Sequence, residues 1–282
     1  MVWSERQRRM LQEMGIRLWA PVAADAVADP SPTAAPAPAP APANVRLSPA
    51  PAAPGAAAAS QQAESNDDPG DDPGRAAAIA QLAWAPLREA VAACTACGLC
   101  KERRQTVFGV GHPSAHWMIV GEAPGEQEDR LGEPFVGPAG QLLDNMLRAL
   151  RLTRADAPAA QQVYIANTLK CRPPRNRNPE PLEMARCEPF LQRQIELVRP
   201  RLILAMGRFA VQALLRSDQP IGKLRGQVHR YQGVPLVVTY HPAYLLRNPA
   251  DKARSWDDLL LAAQVADEAS QAAATAANVK LA

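Results

Sequence analysis

The chain has 282 residues, with 31 Lys/Arg against 28 Asp/Glu, 28 prolines and 5% aromatic residues. The first 80 residues hold 6 basic and 9 acidic side chains, which leaves 25 and 19 to the rest, so the tail is formally −3 and the remainder +6. A basic remainder suits a polyanionic ligand and suits an ordinary solvated surface equally well, and no apolar run reaches the roughly 18 residues that a membrane-spanning helix needs.

In chain order, residues 1–20 form a short amphipathic segment. Glu5 to Met14 has helical spacing and stops near Gly15, while Met10, Leu11, Met14, Ile16, Leu18 and Trp19 are apolar groups remote from any core. Arg6, Arg8 and Arg9 are not followed by the apolar core and small-residue cleavage site of a secretory signal, so a reducing cytoplasmic location is expected, with the five cysteines serving metal and not disulfides. Residues 21–75 are an Ala/Pro-rich, acidic linker expected to be disordered: the Ala-Pro alternation from Ala34 to Ala43 favours polyproline II, and Asp67, Asp68, Asp71 and Asp72 add repulsion. A folded domain is expected over 76–270, followed by a disordered tail over 271–282.

Within that domain, Cys94-x-x-Cys97 comes first, and Cys171 and Cys187 form a second, remote pair. Alone, a Cys-x-x-Cys serves zinc, redox or iron-sulfur sites alike, but two converging pairs supply four thiolates, enough for a cluster or a zinc ion. Cys100 extends the first pair to Cys-x-x-Cys-x-x-Cys and leaves open which thiols bind. Four short, largely apolar runs, Trp117–Val120, Val163–Ala166, Leu202–Ala205 and Leu236–Thr239, read as strands covered on both faces. Helical spacing over Ala139–Leu150, Pro181–Val198, Arg208–Leu215 and Ser255 to about Ala266 completes a βαβαβαβα order. The expected fold is α/β, a three-layer α/β/α sandwich around a central four-stranded, mainly parallel sheet.

Such sheets bind ligands beyond the carboxyl ends of their strands. The turn Gly121-Glu122-Ala123-Pro124-Gly125 follows the first strand, Asn167 ends the second, Gly207 follows the third and His241 follows the fourth. Several polar groups at one rim make a site. It is not a dinucleotide site, because Pro124 stands where backbone amides should face a pyrophosphate.

The segments Val120–Asp129, Gly132–Gly137, Asn167–Pro174 and His241–Pro249 together resemble the family 4 uracil-DNA glycosylases, which carry a 4Fe-4S cluster; the resemblance runs from about Cys94 to Trp256. It implies a monomeric enzyme that hydrolyses the N-glycosidic bond of deoxyuridine in DNA, single- or double-stranded, and leaves an abasic site. A base must leave the stack to be reached. The resemblance implies that Phe135 stacks on it and that the Asn167 amide accepts from uracil N3–H and donates to O4. His241 is implied to stabilise negative charge at O2, and Glu122 either to position water or to orient the pocket, with Ala123 standing where related enzymes place an Asp. Glu128 or the Pro124-Gly125 turn would supply bulk beside C5, and Gly121 belongs to the same pocket wall. Leu245, Leu246 and Arg247 are expected on a loop that enters the duplex, and Arg225 and Lys223, near the Gly222 and Gly226 turns, suit phosphate contacts and solvated surface charges equally. The implied cluster ligands are Cys94, Cys97, Cys171 and Cys187, with Cys100 outside.

A non-catalytic DNA-binding or replisome-associated module with the same fold is the alternative, disfavoured by the intact Phe135, Asn167 and His241 set. A related branch that becomes covalently trapped on DNA uses a histidine in a basic insertion after the second strand, whereas Cys171-Arg172-Pro173-Pro174-Arg175-Asn176-Arg177-Asn178 contains none. Leu11–Trp19 is similar to the N-terminal peptide of the psi subunit of bacterial DNA polymerase III, and this resemblance implies a clamp-loader contact through residues 8–19.

Overall fold

Three strands, Trp117–Gly121, Val163–Asn167 and Leu202–Met206, are buried along their whole length, and the structure, a computed structural model, shows why. It describes residues 73–279 and, before them, residues 9, 10 and 13. The elements are α1 (Pro73–Ala80), α2 (Trp84–Ala92), β1 (Val110–Gly111), β2 (Trp117–Gly121), α3 (Glu126–Leu131), α4 (Pro138–Ala149), β3 (Val163–Asn167), α5 (Pro181–Val198), β4 (Leu202–Met206), α6 (Arg208–Leu215), α7 (Ile221–Leu224), β5 (Val228–Tyr231), β6 (Val234–Thr239), α8 (Pro242–Arg247) and α9 (Lys252–Val279).

The sheet order is β1-β3-β2-β4-β6-β5. Its four central strands are parallel, as expected, and β1 and β5 are antiparallel edges that the apolar pattern did not show. β1 is only two residues long. β5 has an exposed and half-buried side, and joins β6 through Gln232 and Gly233 at φ 47° and 85°, the left-handed pair of a tight hairpin turn.

Alternate residues of each central strand feed opposite layers. Ile119, Ile165, Leu204 and Val237 pack against Leu143, Met146, Trp256 and Leu259 of α4 and α9. Met118, Tyr164, Ile203 and Val238 pack against Leu191, Ile195, Val211 and Leu214 of α5 and α6. A smaller cluster, Ile79, Leu87, Val91, Phe108 and Phe190, fastens α1 and α2 onto α5.

Two boundaries differ from expectation. Helix α1 begins at Pro73, inside the stretch assigned to the linker, and its Ile79 is buried in that smaller cluster. The C-terminal helix continues to Val279 instead of ending near Ala266, since its alanine-rich extension is made of strong helix formers. The linker reading of 21–72 and the tail residues 280–282 lie outside the described residues. So does most of the proposed clamp-loader segment, although Met10 is half-buried against the core that α4 and α9 share.

Candidate active site

The parallel register places Gly121 of β2 directly beside Asn167 of β3. Beyond these strand ends the chain is stitched together: Thr168 N–H donates to the Gly121 carbonyl at 3.0 Å, Leu169 N–H to the Glu122 carbonyl at 3.1 Å, and the Thr168 hydroxyl to that same Glu122 carbonyl at 2.5 Å. A cleft of about 830 Å³ opens there, walled by Glu122 to Gly125, Glu128, Phe135, Asn167, Arg208, Tyr240, His241 and Arg247. The sequence-predicted pocket residues Glu122, Ala123, Pro124, Gly125, Glu128, Phe135, Asn167 and His241 are thus brought together, and Gly121 lies immediately behind them.

Gly121 has to be glycine. A Cβ there would come within 2.5 Å of Asn167 Oδ1 and 2.6 Å of Phe135 Cζ, so it would fill the floor of the cleft. Phe135 is buried at φ 55°, a left-handed conformation rare for a bulky residue and characteristic of sites where surrounding structure over-determines the backbone. Its carbonyl lies over Gly140 of α4 so closely that a Cβ at Gly140 would overlap it. The Phe135 ring stacks on His241 with centroids 5.3 Å apart and planes 27° from parallel.

Glu128 lines the cleft with its carboxylate engaged by the main chain. Its carboxylate accepts from Gly125 N–H at 3.1 Å, from Val136 N–H at 3.0 Å and from Gly137 N–H at 3.4 Å. It therefore clamps the turn after β2 to the Phe135 loop, while Glu128, Pro124 and Gly125 all line the cleft. Glu122 is partly buried, and burial raises its carboxyl above the usual range, opposed by the Arg208 guanidinium.

Asn167 is 2% exposed, and its Oδ1 is a buried acceptor without a partner. Such an atom costs about 1–3 kcal/mol unless something arrives to satisfy it. His241 caps α8: its Nδ1 accepts from Ala243 N–H at 3.2 Å, which leaves the proton of the neutral ring on Nε2. Burial, then the nearby Arg247 charge, push its pKa down to about 4, with Glu128 acting in the opposite sense.

Together these residues line one cleft at the strand ends, and comparison with known proteins bears on the chain that carries it. Residues 108–260 match the family model described as Uracil DNA glycosylase superfamily. The type-4 uracil-DNA glycosylase of Pyrobaculum aerophilum is 42% identical over 185 residues, 62% of this chain and 90% of the relative. That of Thermotoga maritima is 43% identical over 170 residues, 60% and 85% of the two chains. The chain belongs to the type-4 uracil-DNA glycosylases. A type-5 uracil-DNA glycosylase from P. aerophilum is more distant, at 33% over 148 residues, 48% of this chain and 64% of the relative. The uracil-DNA glycosylase activity, hydrolysis of an N-glycosyl bond that removes uracil from DNA, follows from this membership.

Two expected DNA contacts of the glycosylase are corrected. Leu245 is fully buried in the core and cannot enter a duplex, because its segment is the helix α8 and not a loop; Leu246, 44% exposed, and the exposed Arg247 at the cleft mouth remain. Arg225 is locked to the fully buried Asp258, 3.1 Å from Nε and 3.0 Å from Nη2, and also donates to the Arg254 carbonyl. Its guanidinium serves the fold. Lys223 is exposed. Sequence reasoning passed over Arg208 and Tyr240, which also line the cleft. A signal was present: Arg208 follows Gly207 at the end of β4 and Tyr240 precedes His241 at the end of β6, the same strand-end positions that marked the other residues.

The five cysteines are free thiols, and all of them line one small cavity between α2, α5 and the segment after β3. Its donors suit an anionic sulfur centre: Arg103 donates to Cys171 Sγ at 3.0 Å and Lys170 N–H to Cys187 Sγ at 3.3 Å. Burial raises the thiol of Cys187 to about 12, opposed by Lys170, and raises Cys171 and Cys97 as well. Among the described residues no three His, Cys, Asp or Glu side chains are grouped to hold a single metal ion.

Proposed function

We propose that the cleft takes an extruded deoxyuridine from DNA, with Asn167 reading the base, Phe135 stacking on it, His241 donating to O2 and Glu122 orienting water. The observation that carries this reading is the buried, unpartnered Oδ1 of Asn167, an acceptor suited to uracil N3–H and mismatched to the N3 lone pair of cytosine. Departure of uracil puts negative charge on its ring and positive charge on the sugar, and a neutral N–H donor fixed beside O2 stabilises the former without reorganising. Glu122, partly buried beside Arg208, lines the cleft with a carboxylate that backbone amides do not claim as they claim that of Glu128; the Ala123 methyl group offers no alternative.

Leu246 and Arg247 form the wedge and the phosphate contact at the mouth of the cleft. Arg247→Ala is expected to lower the salt dependence of DNA affinity by about one unit of slope. Arg225→Ala is expected to leave that slope unchanged while costing about 3 kcal/mol of stability, because it strands the Asp258 carboxylate in the core. Binding titrations at several salt concentrations, with denaturant unfolding alongside, check both outcomes.

The thiol cavity supports a 4Fe-4S cluster held by Cys94, Cys97, Cys171 and Cys187, with Cys100 as the extra thiol. Four cysteine thiols sharing one cavity, with Arg103 and the Lys170 N–H as donors to sulfur, supply the ligand set that such a cluster needs. Such a cluster would brace α2, α5 and the strand-end segment. The purified protein is expected to be brown with a visible thiolate-to-iron band. Cys171→Ser and Cys187→Ser are expected to lose that band and Cys100→Ser to keep it; a colourless, zinc-containing protein would overturn the assignment.

A further inference from the structure

Lys170 is 1% exposed and lies between the two sites, and the chemistry assigned so far does not use its ammonium group. Its Nζ donates to the main-chain carbonyl of Asn167 at 2.8 Å and to Gln194 Oε1 at 2.6 Å. Gln194, itself fully buried, is held in turn by donating to the Phe108 carbonyl at 2.8 Å and to the Tyr164 hydroxyl at 2.9 Å. On its other side, the Lys170 N–H reaches Cys187 Sγ and its carbonyl accepts from Val107 N–H at 2.8 Å. Burying a cationic side chain among neutral acceptors is costly, and a methionine would fill the same volume at lower cost. What the lysine adds is a fixed donor to the carbonyl of the residue whose side chain reads the base.

We propose that Lys170 is a positioning residue for uracil recognition: anchored beside Cys171 and Cys187, it holds the end of β3 so that the Asn167 amide faces the cleft in one orientation. Among the described residues no side-chain hydrogen bond does this for Asn167, and its Oδ1 is unpartnered. The orientation must come from the main chain. This inference rests on the role given to Asn167 above.

The test uses the full-length, metal-loaded protein. Lys170→Met is expected to keep its iron content, its visible spectrum and its affinity for DNA bearing an abasic-site analogue. Inhibition by free uracil and single-turnover excision are both expected to weaken by roughly 10- to 100-fold, the range that a small misplacement at a reacting group produces. In an Asn167→Ala background Lys170→Met is expected to add nothing further, because the two changes remove one interaction; a merely structural defect would multiply with it. Gln194→Leu, which removes the second acceptor and leaves the Asn167 bond, is expected to show a smaller loss with the same non-additivity, and it carries the test if Lys170→Met does not fold. Normal uracil inhibition in Lys170→Met, or in Gln194→Leu where that variant stands in, would overturn the proposal, as would multiplicative losses. If Asn167→Ala alone binds uracil normally, the base-reading assignment fails instead, which separates the two.

Discussion

His241→Ala is expected to slow single-turnover release of uracil by about 10²–10³-fold while changing affinity for DNA little, the loss typical of removing one pre-oriented donor from a developing anion. The ring is prepared as a neutral donor. Ala243 N–H occupies Nδ1, and burial with the Arg247 charge lowers the pKa to about 4, so the proton available to uracil O2 is the one on Nε2. A neutral donor has a consequence that an imidazolium would not have: excision should show no inflection near the ordinary histidine value of about 6.5. An acid limb, where present, belongs to Glu122, whose carboxyl burial raises, and Glu122→Gln should abolish it. Stability follows the opposite course from that of a paired histidine. The unfolded chain takes up the proton first as pH falls, so the contribution of His241 is whole above about pH 6.5 and is lost progressively toward pH 4, on the order of 3 kcal/mol across that window. A rate profile with a histidine inflection near 6.5 that disappears in His241→Ala would show that the charged ring is the active form and overturn this reading.

The central architecture was legible because parallel strands covered on both faces leave continuous apolar runs; Trp117–Val120 and Leu202–Ala205 could hardly be anything else. Helices α5 and α6 were bounded at their observed ends. Edge strand β5 was not visible, since Val228-His229-Arg230-Tyr231 is half-solvated and joined to β6 by Gln-Gly in place of the usual Asn-Gly. At the site, strand-end position identified Asn167 and His241, but position alone cannot tell which faces of a polar side chain are already occupied. Glu128 is the case in point: its sequence neighbourhood placed it beside the base, and the sequence could not show that three backbone amides claim its carboxylate. Leu245 and Leu246 are adjacent and chemically identical, and only the helical turn of α8 sends one into the core and the other to the surface. Arg225 likewise looked free until Asp258, 33 residues away, was found against it.

Asn167→Ala should reduce single-turnover excision by at least about a hundredfold, and unlike His241→Ala it should also abolish inhibition by free uracil. The distinction follows from where each contact acts. His241 meets charge that exists only as the bond breaks, whereas the Asn167 amide meets the N3–H and O4 edge that uracil presents both in DNA and as product. The native protein carries Oδ1 buried and unsatisfied at about 1–3 kcal/mol, a cost that the arriving base removes. Truncation to alanine deletes that cost, so the free protein should be as stable as the unmodified enzyme or slightly more so, although it has lost activity. Stability rising while uracil affinity falls is a signature that a generally damaged pocket does not produce. Thermal unfolding of Asn167→Ala with and without added uracil measures both sides: the unmodified enzyme should be stabilised by the base and the variant should not. If instead the variant unfolds well below the parent and still responds to uracil, Asn167 is a structural residue and some other group reads the base.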